Sequence, residues 1–343
     1  MFQELLIPCS PGSPIAPRPA EDLLLRTPGQ SLRSVASLPQ THARGVGLML
    51  VSAALFASSV LLIRAVGRAE SVNVWLISAV RFIVGLGLCF TVYHRDFQPV
   101  RVFRQRLLIE RGLLGGASVC AYYVALLRIG AGRATFINST YLIWGGLFAV
   151  WALRERFRWP LGVGAVVALA GLALLTNVLA AAGAAPGGFD LLALATALAS
   201  GWIVVTIRKL HATEHTATIF GSQCAYGLVV CALPALWNLQ AVSAGALLLL
   251  VSAGLLAGFG QLAMTQAYRS LTVAEGSLIQ MFVPIGIAVG GVLIFAEHFR
   301  PPELLGAGLI LAGTALPLLH RRRTASPTAE PLRAAEASPM SSG

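Results

Sequence analysis

Charge is what this chain has least of: Asp, Glu, Lys and Arg make up 11% of its 343 residues, and a single lysine, Lys209, stands beside twenty-four arginines. A hydrophobic content of 56% and a mean hydropathy of +0.76 complete the picture. That balance excludes an ordinary soluble domain and places the chain in lipid. No acidic residue interrupts the middle of a long apolar run. A buried carboxylate of the kind that couples proton movement, or binds a lipophilic cation, is therefore missing. The five cysteines, Cys9, Cys89, Cys120, Cys224 and Cys231, form no CxxC pair, and four of them lie within apolar runs. Those four read as small core residues, and the set indicates no disulfide framework and no metal knuckle. Glycine-rich phosphate loops, serine triads and nucleotide-binding cassettes are also missing, which argues against hydrolysis and primary pumping. One enzyme-like motif remains, the H-x-x-E-H of His211, Glu214 and His215. It falls in a short loop with no helix to align the histidines and no third ligand nearby, so zinc chemistry is not expected.

What is present is apolar length. A spanning helix needs about 20 apolar residues to cross roughly 30 Å of hydrocarbon, and ten stretches qualify: 45–66, 73–93, 108–127, 133–153, 159–178, 189–208, 217–237, 244–267, 275–296 and 302–320. The expected fold class is an all-α membrane protein of ten transmembrane helices. Sliding the second half back by 142 positions lays it on the first without gaps. Glu155 then meets Glu297, Phe157 meets Phe299, Pro160 meets Pro302, Gly164 meets Gly306 and Gly171 meets Gly313. The expected organisation is a Pro-rich disordered tail (1–43), a first five-helix repeat (44–178), an Ala/Gly linker (179–188), a second repeat (189–320) and a disordered tail (321–343). An odd number of helices per repeat inserts the second upside down relative to the first, the inverted plan of many secondary transporters. Basic residues near the helix ends divide sixteen to five. By the positive-inside bias this puts both termini in the cytoplasm.

The duplicated five-helix unit, the glutamate loop closing each half, the Gly-x(6)-Gly helix that follows it and Arg81-Phe82 in the second span resemble the drug/metabolite transporter superfamily, EamA type. The likeness covers about 45–320. The long N-terminal tail departs from the compact form of that family. The resemblance implies a multi-pass protein of the bacterial inner membrane that is not an enzyme, needs no cofactor or metal, and contacts a small-molecule substrate and the bilayer but no nucleic acid. Homodimerisation is left open. The expected function is secondary transport of a small organic metabolite by alternating access, with an amino acid or related anion or zwitterion favoured and export as the direction. Efflux of lipophilic cations is the alternative, and a non-transporting receptor or scaffold the reading from another class.

Arg81 is taken as the one strongly basic residue well inside a span, a counter-charge for an anionic group or a structural arginine bonded to helix carbonyls. The equivalent position in the second repeat, Gln223, stays polar without charge. Asn138, Tyr141 and Trp144 recur every three residues on one helix face. With Tyr122 and Tyr123, and with Gln261, Gln266 and Gln280 from the second repeat, they make candidate walls for a cavity of aromatic and amide groups. Interhelical bonding is the competing reading. Pro284 is a candidate hinge with Gly286 and Gly290, and Gly112, Gly116, Gly254 and Gly258 read as sites of close helix approach. Glu155 and Glu297 are expected to act as topology and capping residues.

Overall fold

A computed structural model describes residues 28–325 except 157, 179–186, 239 and 299, with side chains described between 41 and 317. Every regular element among the described residues is a helix. The first repeat contains α1 (Pro28–Ala69), α2 (Val74–Thr91), α3 (Pro99–Arg104), α4 (Arg106–Ile129), α5 (Ala131–Ser139), α6 (Tyr141–Leu153) and α7 (Trp159–Leu175). The second contains α8 (Gly188–Leu210), α9 (Thr216–Trp237), α10 (Ala244–Ala267), α11 (Val273–Ile279), α12 (Phe282–Phe295) and α13 (Pro301–Ala325). Among the described residues eight helical stretches are long and apolar enough to cross a membrane, and α7 is shorter.

The Pro-rich reading of 1–43 gives way in part, because α1 starts at Pro28. The described part of α1 runs from Pro28 through Pro39 into the first span. Residues 1–27, most of the linker at 179–188, and 326–343 lie outside the described residues. At the other end α13 continues to Ala325, past the expected limit of 320.

Helix starts follow the local sequence. Asn73 Oδ1 accepts from the Trp75 amide (2.9 Å), and Ser243 Oγ accepts from the Ala246 amide (3.1 Å). Thr272 and Glu275 form a reciprocal capping box, each side chain accepting from the other's amide at 3.2 Å. These oxygens satisfy amides that the helix itself leaves unpaired.

Two spans expected to be continuous are broken at equivalent places. Between α5 and α6 the chain tightens at Thr140, whose amide bonds Ile137 O (3.2 Å) while its carbonyl accepts from Ile143 (2.9 Å). Between α11 and α12 the same i→i+3 pattern occurs, Met281 N to Leu278 O (3.1 Å) and Val283 N to Gln280 O (3.0 Å). Both broken spans end on a left-handed residue, Arg154 (φ 53°) and Ala296 (φ 54°), which turns the following amide back onto Ala149 and Gly291 respectively, at 3.3 Å in each case. The strained turn is thus repeated with the sequence. It aims Glu155 at Arg208 Nε (2.9 Å) and Glu297 at Arg64 and Arg68.

The halves are interwoven. α1 packs on α10 and α12, α8 packs on α4 and α6, α2 lies on α9, and α7 lies on α13. The last pair explains the Gly-x(6)-Gly spacing. A Cβ on Gly164 would sit 2.5 Å from Gly313 O, and one on Gly171 would sit 2.5 Å from Gly306 O, with the converse approaches at 2.6 and 2.5 Å. Four glycines from two repeats therefore cross antiparallel about one axis, an approach open only to residues without side chains.

Loops and helix ends segregate. One end, here the termini end, gathers the start of α1, the loops around 92–106, 154–158 and 211–216, and the turn 268–272. It is tied by Arg101–Glu214 (2.9 Å) and Arg208–Glu155 (2.9 Å). The far end holds Arg64, Arg68 and Glu297, together with Arg133–Asp190 (2.6 Å) and the Glu70 carboxylate on the Ser243 amide (3.2 Å).

Candidate functional site

Arg81 is the eighth residue of α2, near the middle of an eighteen-residue helix, and is half-buried. Its Nη1 lies 3.5 Å from the Tyr123 hydroxyl, and its Cζ lies 5.9 Å from the centre of the Phe56 ring. Tyr123 leans on Tyr122 (ring centroids 5.9 Å apart), and the Tyr122 hydroxyl is 2.8 Å from Thr135 Oγ1 on α5. One turn along, Asn138 Oδ1 accepts from the Thr196 hydroxyl (3.0 Å). A chain of contacts therefore runs from Arg81 on α2 through Tyr123 and Tyr122 on α4 to Thr135 on α5, one turn from Asn138. Tyr141 and Trp144 lie beyond the Thr140 turn, with Trp144 against Gly201 of α8 and its indole N–H buried without a partner.

The second-repeat candidates are placed differently. Gln223, Gln261 and Gln280 are buried, and Gln280 Nε2 donates to Ser52 Oγ (2.9 Å) and lies 3.1 Å from Met49 Sδ. Gln266 stands apart near a helix end, its Oε1 accepting from Thr216 (2.6 Å). Gly286 and Gly290 lie against Ala57 and Leu61 of α1, where an added Cβ would approach to 2.8 and 2.2 Å. They are packing contacts. Pro284 is the third residue of α12, not the middle of an unbroken span. In a first turn its missing N–H removes no helical bond, and the equivalent break at Thr140 occurs with Leu142 in the matching place. The break therefore belongs to the repeat and does not depend on the proline.

Equivalent positions compare the two ends like for like. Over 133–138 at the far end every residue except Ala134 is partly exposed, whereas the matching 275–280 at the termini end is buried throughout. The same holds for 62–65, partly exposed, against the buried 204–207. At the termini end α11 packs on α6, and Arg208 donates to the Leu271 carbonyl. The equivalent pair at the far end, α5 and α12, has no packing of that extent. Of each equivalent pair, the far-end segment is the more exposed and the termini-end segment the more closely packed. A cavity of about 510 Å³ also opens at the far end, among Asn177, Val292, Glu297, His298, Arg300 and Glu303, but none of the candidate residues lines it.

Sequence reasoning counted Arg111 with the arginines at the helix ends, and this is corrected. It sits on the second turn of α4 at 1% exposure, so Arg81 is not the only basic residue inside the bundle. Its Nη2 donates to Gln223 Oε1 (2.8 Å), while Nε and Nη1 are buried with no partner. The available signal was the cluster Gly112, Gly115 and Gly116, which clears room on that face of the helix.

The H-x-x-E-H residues are each engaged elsewhere. His211 Nε2 is 2.6 Å from Thr265 O, Glu214 pairs with Arg101, and His215 Nδ1 accepts from the Ala217 amide (3.3 Å). No cluster of three metal-ligating side chains occurs among the described residues. Burial pushes the His211 pKa down to about 4, and burial also lowers that of His215, with Asp96 acting in the opposite sense.

The family model for the EamA-like transporter family matches twice, over residues 43–177 and 188–319. The chain belongs to the EamA-like transporter family. The two matches coincide with the two repeats, so the chain contains the EamA unit twice. An uncharacterised protein of Pseudomonas aeruginosa is similar to this EamA chain, 27% identical over 278 residues that cover 80% of this chain and 94% of that one. A crystal structure shares the fold, with a TM-score of 0.68 and 22% identity over 83% of this chain and 99% of the other.

Proposed function

We propose that the protein is a ten-span secondary transporter of the drug/metabolite type in a bacterial inner membrane, with both termini cytoplasmic. It carries a small amino acid, or a related anion or zwitterion, by alternating access, and export is the favoured direction. The observation behind this reading is the asymmetry between equivalent segments: 133–138 partly exposed at one end except for Ala134, 275–280 buried at the other. Two copies of one unit in opposite orientation have two such arrangements of nearly equal energy, and exchanging them opens the other end. The far end is then periplasmic, and Arg81, Tyr123 and Asn138 are the solute's first contacts. A cationic wall without a carboxylate suits an anionic or zwitterionic solute better than a lipophilic cation.

Single cysteines at Asn138 and Gln280, in a background with the native cysteines replaced, test the exchange. A membrane-impermeant maleimide added from the periplasmic side is expected to label Asn138→Cys, and the same reagent from the cytoplasmic side to label Gln280→Cys slowly. A solute of the correct class should alter the two rates in opposite senses. Rates at both sites that no amino acid or organic anion changes, together with no flux in proteoliposomes, would leave the receptor reading in its place.

A further inference from the structure

We propose that Arg111 is a second anion-binding residue on the pathway, the counter-charge that receives a carboxylate or phosphate group of the solute once the termini end opens. The inference rests on the transport reading and extends it from the far half of the interior to the termini half.

A guanidinium keeps its charge at any physiological pH and offers five N–H donors. A charge held away from water persists only where something compensates it. Arg111 takes part in none of the ion pairs among the described residues. Its neighbour Glu110 is occupied by the Trp202 indole N–H. With one bond to a neutral amide, and with Nε and Nη1 unpartnered, four of the five donors have no acceptor. The group is therefore strongly cationic and incompletely solvated, a state that an anionic oxygen would relieve.

The surroundings are built to keep it so. A Cβ on Gly115 would fall 2.2 Å from Arg111 Nη1, so the guanidinium folds along α4 towards the middle of the bundle through space that only glycine leaves. Gly112 and Gly116 bring α4 against α9, with approaches of 2.7 Å to Ser222 O and 2.4 Å to Gly227 Cα, and so set Gln223 within reach. Gln223 occupies the position equivalent to Arg81 in the other repeat. The two arginines thus lie on either side of the middle of the bundle, Arg81 towards the far end and Arg111 towards the termini end. Opening the termini end would uncover Arg111 beside Gln223 and offer the solute's anionic end a second cation on its way through.

Arginine-selective phenylglyoxal labelling of the full-length wild-type protein in proteoliposomes tests this, with the Arg111 and Arg81 peptides quantified by mass spectrometry. Sodium benzoate and inorganic phosphate are the two anionic probes, and choline chloride at matched ionic strength is the control. Arg111 is expected to react slowly and to be protected by at least one anion, about tenfold at ten times its dissociation constant. Protection by benzoate alone assigns a carboxylate, and by phosphate alone a phosphate. An Arg111 that never reacts while Arg81 does, or that reacts equally with and without both anions while Arg81 is protected, overturns the proposal and leaves the transport reading standing. Protection at neither arginine, with no anion flux, overturns both. In a second measurement Arg111→Gln is expected to raise the thermal midpoint without anion and to lose the anion-dependent shift, while Arg111→Lys retains part of that shift. An unchanged shift in Arg111→Gln counts against the site.

Discussion

His211 shows how a single side chain in a membrane protein's loop reports on pH. Its Nε2 donates to the Thr265 carbonyl at 2.6 Å, and burial lowers its pKa from 6.5 to about 4. The folded protein thus keeps the ring neutral where the unfolded chain would protonate it. The stabilisation is complete above about pH 6.5 and fades as the pH falls towards 4, since the unfolded state then binds more protons. His211→Asn is expected to flatten the pH dependence of the thermal midpoint in that window, by an amount on the order of 1–3 kcal/mol. His215 faces Asp96 at 4.0 Å and is lowered as well, so the paired variant His211→Asn/His215→Asn identifies each share. An unchanged acid limb in both variants would show that neither ring governs it. At this scale the sequence was only partly legible. Arg81 stands out because apolar residues surround it on both sides, whereas Arg111 follows Arg104 and Arg106 and looks like one more interfacial charge. Which way a helix-end arginine turns is decided by glycines on the packed face and by the partner helix, and hydropathy contains neither.

Among elements, the crossing of α7 and α13 is the contact least able to tolerate change. Gly171→Leu would put a side chain where the Gly306 carbonyl already stands 2.5 Å from a bare Cβ position. We expect a loss of about 1–3 kcal/mol or more, the usual cost of overpacking a well-filled interior, read as a fall in the thermal midpoint in detergent. Leucine at Gly308 on the same helix meets open space and should leave the midpoint near wild type. Equal effects at the two positions would remove the crossing from consideration. The Gly-x(6)-Gly spacing was plain in the sequence because the duplication wrote it twice. The breaks at Thr140 and Gln280 were not, because nothing in YLIW or MFVP announces them. Pro284 drew attention to one of them for the wrong reason. A three-residue tightening of an apolar helix is set by what the two half-helices pack against, and hydropathy windows average over it.

For the molecule as a whole, the informative quantity is the difference between two nearly identical halves. The repeat, and hence the architecture, was legible from the 142-residue offset. Which end is the more exposed was not, because both copies are patterned alike and the asymmetry lies in contacts between them. One of those contacts is the Arg208 guanidinium, which pairs with Glu155 and reaches the Leu271 carbonyl across the sealed end. Val66 stands at the equivalent far-end position and Glu297 pairs there with Arg64 and Arg68 instead, so the reach to the Leu271 carbonyl is what distinguishes the termini end among the described residues. Arg208→Gln is therefore expected to weaken the seal and to raise the rate at which a cytoplasmic maleimide labels Gln280→Cys by several-fold, without a comparable rise at Asn138→Cys. A rise at both sites would mean general loosening, and no rise would mean the seal holds by packing alone.

The interwoven packing has a consequence for how the protein is made. Ser59 on α1 donates its hydroxyl to Ala253 O at 2.8 Å, 194 residues further along the chain. A ribosome emits α1 first and its partners α10 and α12 near the end, so the earliest helix must wait in lipid for most of synthesis. During that wait its serines can bond only to carbonyls of their own helix. The first helix to be made is thus among the last to complete its packing.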